Sequence, residues 1–270
     1  MSLTNPIRSE IADEVFRTRG VLTEVVPFSQ RHPDFELTDS YWVVEEMRRR
    51  REANGEKIIG RKIGFTNSAA WAGYGITGPL WNYLYDTTTF QLSETSTLEV
   101  RNWPNVRMEA EVALGLKAAP NTQMNEEELL DCVEWVALDF EVCTSIFPDW
   151  QFKVADGAAT GVHVALLLGE RHPIAGDHGK WAAQLESFTA TLSSDEGLSA
   201  TGGGAQVLGG PIKAFRYLVR ELERFGGQPL ASGDIVTTGT LTVALPAQSG
   251  QRWKATTSGI AFEEISLDLV

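Results

Sequence analysis

Apolar positions in the first 55 residues recur at the spacing of an α-helix. Over residues 6–19 they fall on one helical face, which carries Ile7, Ile11 and Val15. Gly20 follows at once, and glycine is typical of a helix end. A second helix is predicted at about residues 40–53, with four consecutive arginines in its last turns and Gly55 beyond them. The pattern therefore predicts an N-terminal segment of about 55 residues that is built of helices.

After Gly60 the pattern changes to short apolar runs separated by Gly, Pro, Thr and Asn. Such runs are typical of strands that are joined by tight loops. Helices are predicted to interrupt this region at about residues 126–135 and from Pro211 onward. The rest of the C-terminal half is predicted to form strands, including residues 234–238 and 261–269. The pattern indicates an α+β chain with a helical start and a β-rich body.

The segment over residues 106–116 (VRMEAEVALGL) alternates between two faces with the period of a β-strand. One face carries apolar side chains: Met108, Ala110, Val112, Leu114 and Leu116. The other face carries Arg107, Glu109, Glu111 and Ala113. The period places the two glutamates on the same face with Cα atoms ~6.5 Å apart. Their carboxylates are therefore close enough to bind one cation.

A second strand-like run, residues 136–143 (VALDFEVC), places Asp139 and Glu141 on one face of an otherwise apolar segment. A buried carboxylate is costly unless it has a charged partner or a metal ion. Carboxylate oxygens with water suit a hard ion such as Mg²⁺ or Mn²⁺. By itself the E-x-E spacing is also common on the solvent face of an antiparallel sheet. Glu141 can join the pair only if the two strands are neighbours.

Composition excludes several classes of partner. The 270 residues include 23 basic and 36 acidic side chains, a net charge of −13, which disfavours binding to nucleic acid or to an anionic membrane. The longest apolar stretch, residues 162–169, is far shorter than the ~20 residues that span a bilayer. We therefore expect a cytoplasmic protein. Cys132 and Cys143 cannot form a disulfide framework and are expected to be small buried residues.

Other candidate residues are weaker. Lys62 lies in the segment GRKIGFTN, where a surface position and a catalytic position are both compatible with the sequence. His163 lies in an apolar run and is expected to be a hydrogen-bonded core residue. The glycines at 202–204 and 209–210 lack the pattern of a nucleotide-binding loop.

Six motifs occur in a consistent order along the chain: GRKIGFT, RMEAEVA, ALDFE, ADGAATG, LGGPIKA and GDIVTTGTLT. Together they resemble the 2-keto-4-pentenoate hydratase family. That family also includes 2-oxohept-3-ene-1,7-dioate hydratase and 4-oxalocrotonate decarboxylase, and it belongs to the fumarylacetoacetate hydrolase superfamily. The resemblance covers about residues 55–269.

The resemblance implies a fold and a subunit arrangement. Residues 1–58 would form an N-terminal helical segment. Residues 59–270 would form the catalytic body, a mixed β-sandwich roll of the fumarylacetoacetate hydrolase C-terminal type. Members of the family are oligomers, so at least a homodimer is expected.

The resemblance also implies a site. A bound Mg²⁺ or Mn²⁺ would be held by three family glutamates, which fall on Glu109, Glu111 and Glu141. The family lysine falls on Lys62, which is expected to be catalytic by binding the substrate carboxylate or assisting proton transfer. The threonine-rich G-x-L-T loop places Thr240 and Thr242 beside the substrate.

The chain departs from the family pattern in three places. An acidic motif, D-E-P-D-x-G, is replaced by residues 76–82 (ITGPLWN), E-x-x-D-S-R reads EVCTSI, and the usual His of L-G-H-P is Gly210. The first change removes the acid associated with hydration. It also introduces Trp81, which is expected to bind substrate and to favour a hydrophobic or aromatic tail over a short pentenoate. The alternative is that Trp81 is a core or interface residue remote from the metal.

The function implied is that of a metal-dependent hydratase, a hydro-lyase, acting on a 2-hydroxy-dienoate or 2-oxo acid in aromatic-compound catabolism. The substrate would be a small 2-oxo acid. Two alternatives remain at this stage. One is a C–C hydrolase or decarboxylase acting on a related 2-oxo or diketo acid. The other is a non-catalytic binding or partner subunit with the same fold.

Overall fold

A computed structural model describes residues 3–270 of the chain. Within that range the α-helices are α1 (Asn5–Thr18), α2 (Phe28–Arg31), α3 (Leu37–Ala53), α4 (Trp71–Tyr74), α5 (Glu126–Asp131), α6 (Val154–Thr160), α7 (His178–Ser187) and α8 (Pro211–Phe225). The strands are β1 (Ile58–Gly64), β2 (Leu80–Tyr85), β3 (Thr89–Gln91), β4 (Thr97–Leu98), β5 (Arg107–Leu116), β6 (Val133–Cys143), β7 (His163–Leu168), β8 (His172–Pro173), β9 (Thr189–Ser194), β10 (Ser199–Gly203), β11 (Ile235–Thr237), β12 (Leu245–Pro246), β13 (Arg252–Ser258) and β14 (Ile265–Leu269).

The strands form two mixed sheets. The larger sheet has the order β2-β1-β11-β5-β6-β7-β3, with β12 paired to β5 and β8 paired to β6. The smaller sheet has the order β10-β9-β13-β14-β4. Side chains from both sheets and from α8 share one apolar core. The predicted α+β class, with helices before a mixed β body, is confirmed.

The local sequence of helix α8 determines where the helix begins and ends and which face is buried. Pro211 lies in its first turn, where a missing N–H costs nothing, and Gly226 ends it in the left-handed conformation. One face is buried and includes Ile212, Phe215, Leu218 and Leu222. This spacing of three and four residues is the period of a helix with one face on a core.

Most predicted elements are confirmed. The helices predicted at residues 6–19 and 40–53 correspond to α1 and α3, and the strand predicted at residues 234–238 corresponds to β11. The prediction of one helix over residues 126–135 is wrong in its second half. Helix α5 ends at Asp131, and β6 begins at Val133 because its backbone there pairs with β5. The strand predicted at residues 261–269 is shorter and begins at Ile265.

Four helices are absent from the sequence-based prediction: the single-turn helices α2 and α4, and the longer α6 and α7. Helix α6 is built of small residues with a glycine, Gly157, in its middle, so its intrinsic helix propensity is low. Tertiary contacts compensate. Asp156 accepts hydrogen bonds from the backbone N–H and the hydroxyl of Ser29, and Ser40 Oγ donates to the Ala155 carbonyl.

The helical N-terminal segment packs on the body through an apolar cluster of its own. Phe28 lies edge-on to Phe147, with ring centroids 5.3 Å apart, and both side chains are fully buried. Strand β1 begins at Ile58, next to the expected boundary; the division into domains at residues 1–58 and 59–270 stays a prediction. None of the helices described over residues 3–270 is both long and apolar enough to cross a membrane.

Candidate metal and substrate site

The register of β5 and β6 brings four carboxylates to one face of the larger sheet. Glu109 lies opposite Glu141, and Glu111 lies opposite Asp139. In an antiparallel pair, opposite residues point to the same face. Glu111, Asp139 and Glu141 have no exposed surface. The alternative of a solvent-facing E-x-E pair is therefore wrong, and the condition for including Glu141, that the two strands are neighbours, is met.

Two of these carboxylates have one oxygen held by protein donors. Glu111 Oε2 accepts the backbone N–H of Gly239 at 2.8 Å and the hydroxyl of Thr237. Glu141 Oε1 lies 2.9 Å from Lys62 Nζ and 2.7 Å from His163 Nδ1. Because β11 is hydrogen-bonded to β5, its threonine and glycine reach Glu111 directly. These contacts orient the carboxylates before any ligand binds.

The other oxygens of these groups are buried without a partner. Within the described part of the chain, Glu111 Oε1, Asp139 Oδ2, Glu141 Oε2 and His163 Nε2 form no hydrogen bond. An orphaned buried carboxylate oxygen is expensive, and an ion or water normally satisfies it. The donor set therefore fits a divalent cation. The nearby ammonium of Lys62 carries a single positive charge, which cannot balance the several carboxylates.

The closest grouping of ligand atoms consists of a carboxylate oxygen of Glu109, a carboxylate oxygen of Glu141 and Cys143 Sγ, all within 4.8 Å of one another. Cys143 follows Glu141 on the same face of β6 and lies opposite Arg107. Treating it only as a small buried residue therefore missed its position. Period 2 from Glu141 was the signal that could have identified it. The assignment of Glu109, Glu111 and Glu141 as the metal trio stays a prediction.

Crowding of like charges is visible in the pKa values. Burial and the charge of Glu141 raise the pKa of Glu109 to about 7. Burial and the neighbouring carboxylates raise the pKa values of Glu111 and Asp139 well above their usual range. Burial also opposes ionisation of Glu141, but the Lys62 ammonium and His163 outweigh it and lower the pKa of Glu141 to about 2. Glu141 is therefore the most readily ionised of the four carboxylates.

Lys62 lies in the interior rather than on the surface. Its side chain is 6% exposed and pairs with Glu141. Burial favours the neutral amine, but Glu141 outweighs that effect and raises the pKa of Lys62 above its usual value. Lys62 is thus a cation, which binds anions and donates protons. Burial lowers the pKa of His163, which is a hydrogen-bonded interior residue as expected.

A cavity of about 810 Å³ borders part of the carboxylate cluster and Lys62. Its wall includes Lys62, Glu109, Cys143, Thr240 and Thr242. Thr240 Oγ1 is a further buried atom without a hydrogen-bond partner in the described part of the chain. The structure therefore places both predicted threonines in the same cavity as the predicted lysine and one glutamate of the trio.

Trp81 is not brought to this cavity. Strand β2 pairs with β1 so that Trp81 lies opposite Ile63, whereas Asn82 lies opposite Lys62. Neighbouring residues of a strand point to opposite faces, so Trp81 points away from Lys62. Its ring stacks on Tyr41 at 4.7 Å and is 2% exposed. A void of about 10 Å³ borders both Lys62 and Trp81, which is about the minimum for one water molecule.

The expectation that Trp81 contacts substrate is therefore corrected: it is a core residue. Trp81→Ala should cost about 3–5 kcal/mol of stability by opening a cavity. Trp81→Phe should keep the fold and leave KM unchanged. Trp150→Ala, which alters the wall of the 810 Å³ cavity, should raise KM instead. Denaturant unfolding and steady-state kinetics measure both effects, and a raised KM in folded Trp81→Phe would contradict the core assignment.

Relatives among curated proteins extend over nearly the whole chain. A 2-hydroxyhexa-2,4-dienoate hydratase of Comamonas testosteroni is 30% identical over 241 residues, covering 87% of this chain and 88% of the relative. A 2-keto-4-pentenoate hydratase of Paraburkholderia xenovorans is 28% identical over 262 residues, covering 96% and 94%. No protein-family model matches the chain.

Solved structures share the fold. The 4-oxalocrotonate decarboxylase of Pseudomonas putida G7, complexed with magnesium and adipate, superimposes with a TM-score of 0.89 at 21% identity and covers 99% of both chains. A yeast protein of the fumarylacetoacetate hydrolase family superimposes with a TM-score of 0.57 at 15% identity, covering 77% of this chain and 91% of its own. The chain belongs to the 2-keto-4-pentenoate hydratase and 4-oxalocrotonate decarboxylase family.

Proposed function

We propose that the protein is a metal-dependent hydro-lyase that hydrates a 2-hydroxy-dienoate, the enol form of an unsaturated 2-oxo acid, in aromatic-compound catabolism. The observation that carries the proposal is the carboxylate cluster: within residues 3–270, Glu111, Asp139 and Glu141 each bury an oxygen without a hydrogen-bond partner, and Glu109 of the same cluster lines the 810 Å³ cavity. Relatives named as dienoate and pentenoate hydratases support the reaction type.

The metal would be held by Glu109, Glu111 and Glu141, with Cys143 Sγ close enough to become a further donor. Mg²⁺ or Mn²⁺ suits the carboxylate oxygens, and the neighbouring decarboxylase structure contains magnesium. When bound, such an ion supplies a Lewis acid that stabilises negative charge on the substrate's keto oxygen.

The remaining work falls to the chain's own side chains. Lys62 Nζ, held at the cavity wall by Glu141, would bind the substrate carboxylate and stay protonated. Thr240 Oγ1, which has no partner within residues 3–270, would donate a hydrogen bond to a substrate oxygen. Thr237 and Gly239 would keep Glu111 oriented. Preorganised donors of this kind favour charge that develops during the reaction.

A second candidate is decarboxylation of a related 2-oxo acid. It is favoured by the absence of the acidic family motif: residues 76–82, which lead into β2 and form its first half, carry no carboxylate, and Glu109 is the one acidic residue among the described residues of the cavity wall. Decarboxylation uses the same stabilised enolate but needs no activated water. A non-catalytic partner subunit is disfavoured, because it would have no use for the costly buried carboxylates.

The test is turnover of 2-hydroxypenta-2,4-dienoate and of 4-oxalocrotonate by the purified protein. We expect loss of the substrate's ultraviolet absorption with added Mg²⁺ or Mn²⁺ and none after treatment with EDTA. Product analysis then separates hydration from release of CO₂. Metal-independent turnover, or no turnover of either acid with either ion, would contradict the proposed function.

We also propose that the chain assembles as a homo-oligomer without nucleic acid or membrane partners. Three exposed apolar side chains, Val21, Leu22 and Val26, lie in the loop between α1 and α2 and offer an apolar surface. Light scattering at micromolar concentration tests the assembly, and a monomeric mass would refute it.

A further inference from the structure

Cys143 places a sulfur atom beside the carboxylate cluster. It follows Glu141 by two positions on β6, so both side chains lie on the same face of the strand. The residue is a free cysteine and 2% exposed, yet it lines the 810 Å³ cavity together with Glu109. The family motif E-x-x-D-S-R leaves this position open, so the resemblance assigns it no role.

The residues paired with Cys143 in the sheet are polar. It lies opposite Arg107 on β5 and opposite His163 on β7. The alignment with His163 follows from a register shift between β6 and β7 at residues 142 and 143, since such irregularities redirect side chains. A cysteine that only fills space behaves as a small apolar residue. Packing alone therefore does not explain a cysteine between an arginine and a histidine.

The contacts of Glu141 leave one of its oxygens for a ligand. Oε1 lies 2.9 Å from Lys62 Nζ and 2.7 Å from His163 Nδ1. Oε2 has no hydrogen-bond partner within residues 3–270, although Glu141 has no exposed surface. A buried oxygen of this kind normally has a water molecule or an ion as its partner. A ligand that binds to Glu141 Oε2 therefore lies on the face of β6 that carries Cys143.

The distances suit one ion that is shared by oxygen and sulfur. Carboxylate oxygens of Glu109 and Glu141 and the Sγ atom of Cys143 lie within 4.8 Å of one another. Two donors on opposite sides of an ion, with oxygen at ~2.1 Å and sulfur at ~2.3 Å, are ~4.4 Å apart. Small side-chain rotations are therefore enough to bring the three atoms to ligand spacing.

We propose that Cys143 Sγ is a ligand of the metal ion and shifts the selectivity of the site from Mg²⁺ and Mn²⁺ toward Co²⁺, Fe²⁺ or Zn²⁺. The inference rests on the proposed function, which places one divalent ion at this cluster. Carboxylate oxygens suit the hard ions Mg²⁺ and Mn²⁺, whereas sulfur is a soft donor that favours the later first-row ions. Cys143 is therefore the residue that determines which ion the cluster retains.

Absorption of the cobalt-loaded protein tests for the bond between sulfur and metal without any turnover. Protein that has been stripped with EDTA and dialysed is titrated with Co²⁺. The wild type should develop a sulfur-to-cobalt charge-transfer band in the near ultraviolet. Cys143→Ser and Cys143→Ala should lack the band. Cys132→Ser is the matched control and should retain it, because Cys132 is the other buried thiol and lies outside the cavity wall.

Calorimetry with Co²⁺ and with Mn²⁺ measures the selectivity. Co²⁺ binds more tightly than Mn²⁺ at most protein sites, so the informative quantity is the change in the ratio of the two affinities. Cys143→Ser should lower that ratio at least ~10-fold, because even groups that only support a ligand contribute 10- to 100-fold to metal affinity. Cys132→Ser should leave the ratio unchanged.

The wild-type spectrum requires no variant, so the test does not depend on whether a variant folds. Co²⁺ that binds to the wild type without a charge-transfer band would overturn the role of Cys143 alone. A band or an unchanged ratio in folded Cys143→Ser would do the same, and the proposed function would stand. If neither Co²⁺ nor Mn²⁺ binds to the wild type, the metal-dependent function and this inference are both wrong.

Discussion

Glu109→Gln should abolish metal-dependent turnover without unfolding the protein. Glu109 is one of three groups whose ligand atoms lie within 4.8 Å of one another, so the substitution removes a charged donor from the metal. A metal ion supplies several kcal/mol of transition-state stabilisation, so kcat/KM should fall at least ~1,000-fold. The metal-free variant should be at least as stable as the wild type, because burial and Glu141 oppose the Glu109 charge and raise its pKa.

Glu141→Gln should lose activity equally but should also destabilise the metal-free protein. Glu141 is the partner of buried Lys62, and an ammonium left without its partner costs about 3–5 kcal/mol. The control is Glu134→Gln, an exposed position on the same strand, β6. Thermal unfolding with EDTA and with Mg²⁺, together with kinetics, measures these effects. A Glu109→Gln variant that keeps both activity and the metal-induced rise in Tm would exclude Glu109 as a ligand.

Lys62→Met should lower kcat/KM about 100- to 1,000-fold, the usual cost of removing one preorganised donor from charge that develops in the reaction. Methionine has a similar volume to the methylene stem of lysine, so the substitution preserves the apolar contacts of β1. Metal binding should persist, because the carboxylates remain and a competing cation has been removed. The Mg²⁺-induced rise in Tm therefore separates the loss of turnover from the loss of metal.

Lys57→Met provides the matched control, since Lys57 is exposed and lies just before β1. It should leave kcat/KM unchanged. If Lys62→Met reduces kcat/KM less than ~10-fold, Lys62 does not contact the reacting substrate. If it removes the metal-induced rise in Tm, Lys62 supports the metal site instead of acting on the substrate.

Local sequence was sufficient to predict the elements that carry the site. Strict alternation over residues 106–116 predicted a strand with Glu109 and Glu111 on one face, and the structure contains it as β5. The run containing Asp139 and Glu141 likewise became β6. Period-2 geometry is a property of the backbone itself, so it survives any tertiary arrangement. Helices with caps and an apolar face, such as α8, were predictable for the same reason.

The resemblance of the motifs to the family also predicted site residues that lie far apart in the chain. Lys62 lies in one segment of the chain and Thr240 and Thr242 lie in another, and spacing alone gave no reason to join them. In the structure all three residues line the same cavity. Thr237 was missed because its role depends on the pairing of β11 with β5, whereas Cys143 shares a face of β6 with Glu141 and could have been identified from period 2.

By itself the sequence determined the secondary structure of the site strands, the shared face of each carboxylate pair and the family. Tertiary structure decided which strands are neighbours, and therefore that Glu109 lies opposite Glu141 and that Lys62 pairs with Glu141. It also decided that Trp81 packs on Tyr41, because pairing of β2 with β1 selects the face each residue occupies. Period 2 separates the two faces of a strand, but only contacts between distant segments decide which face meets the core and which meets the cavity.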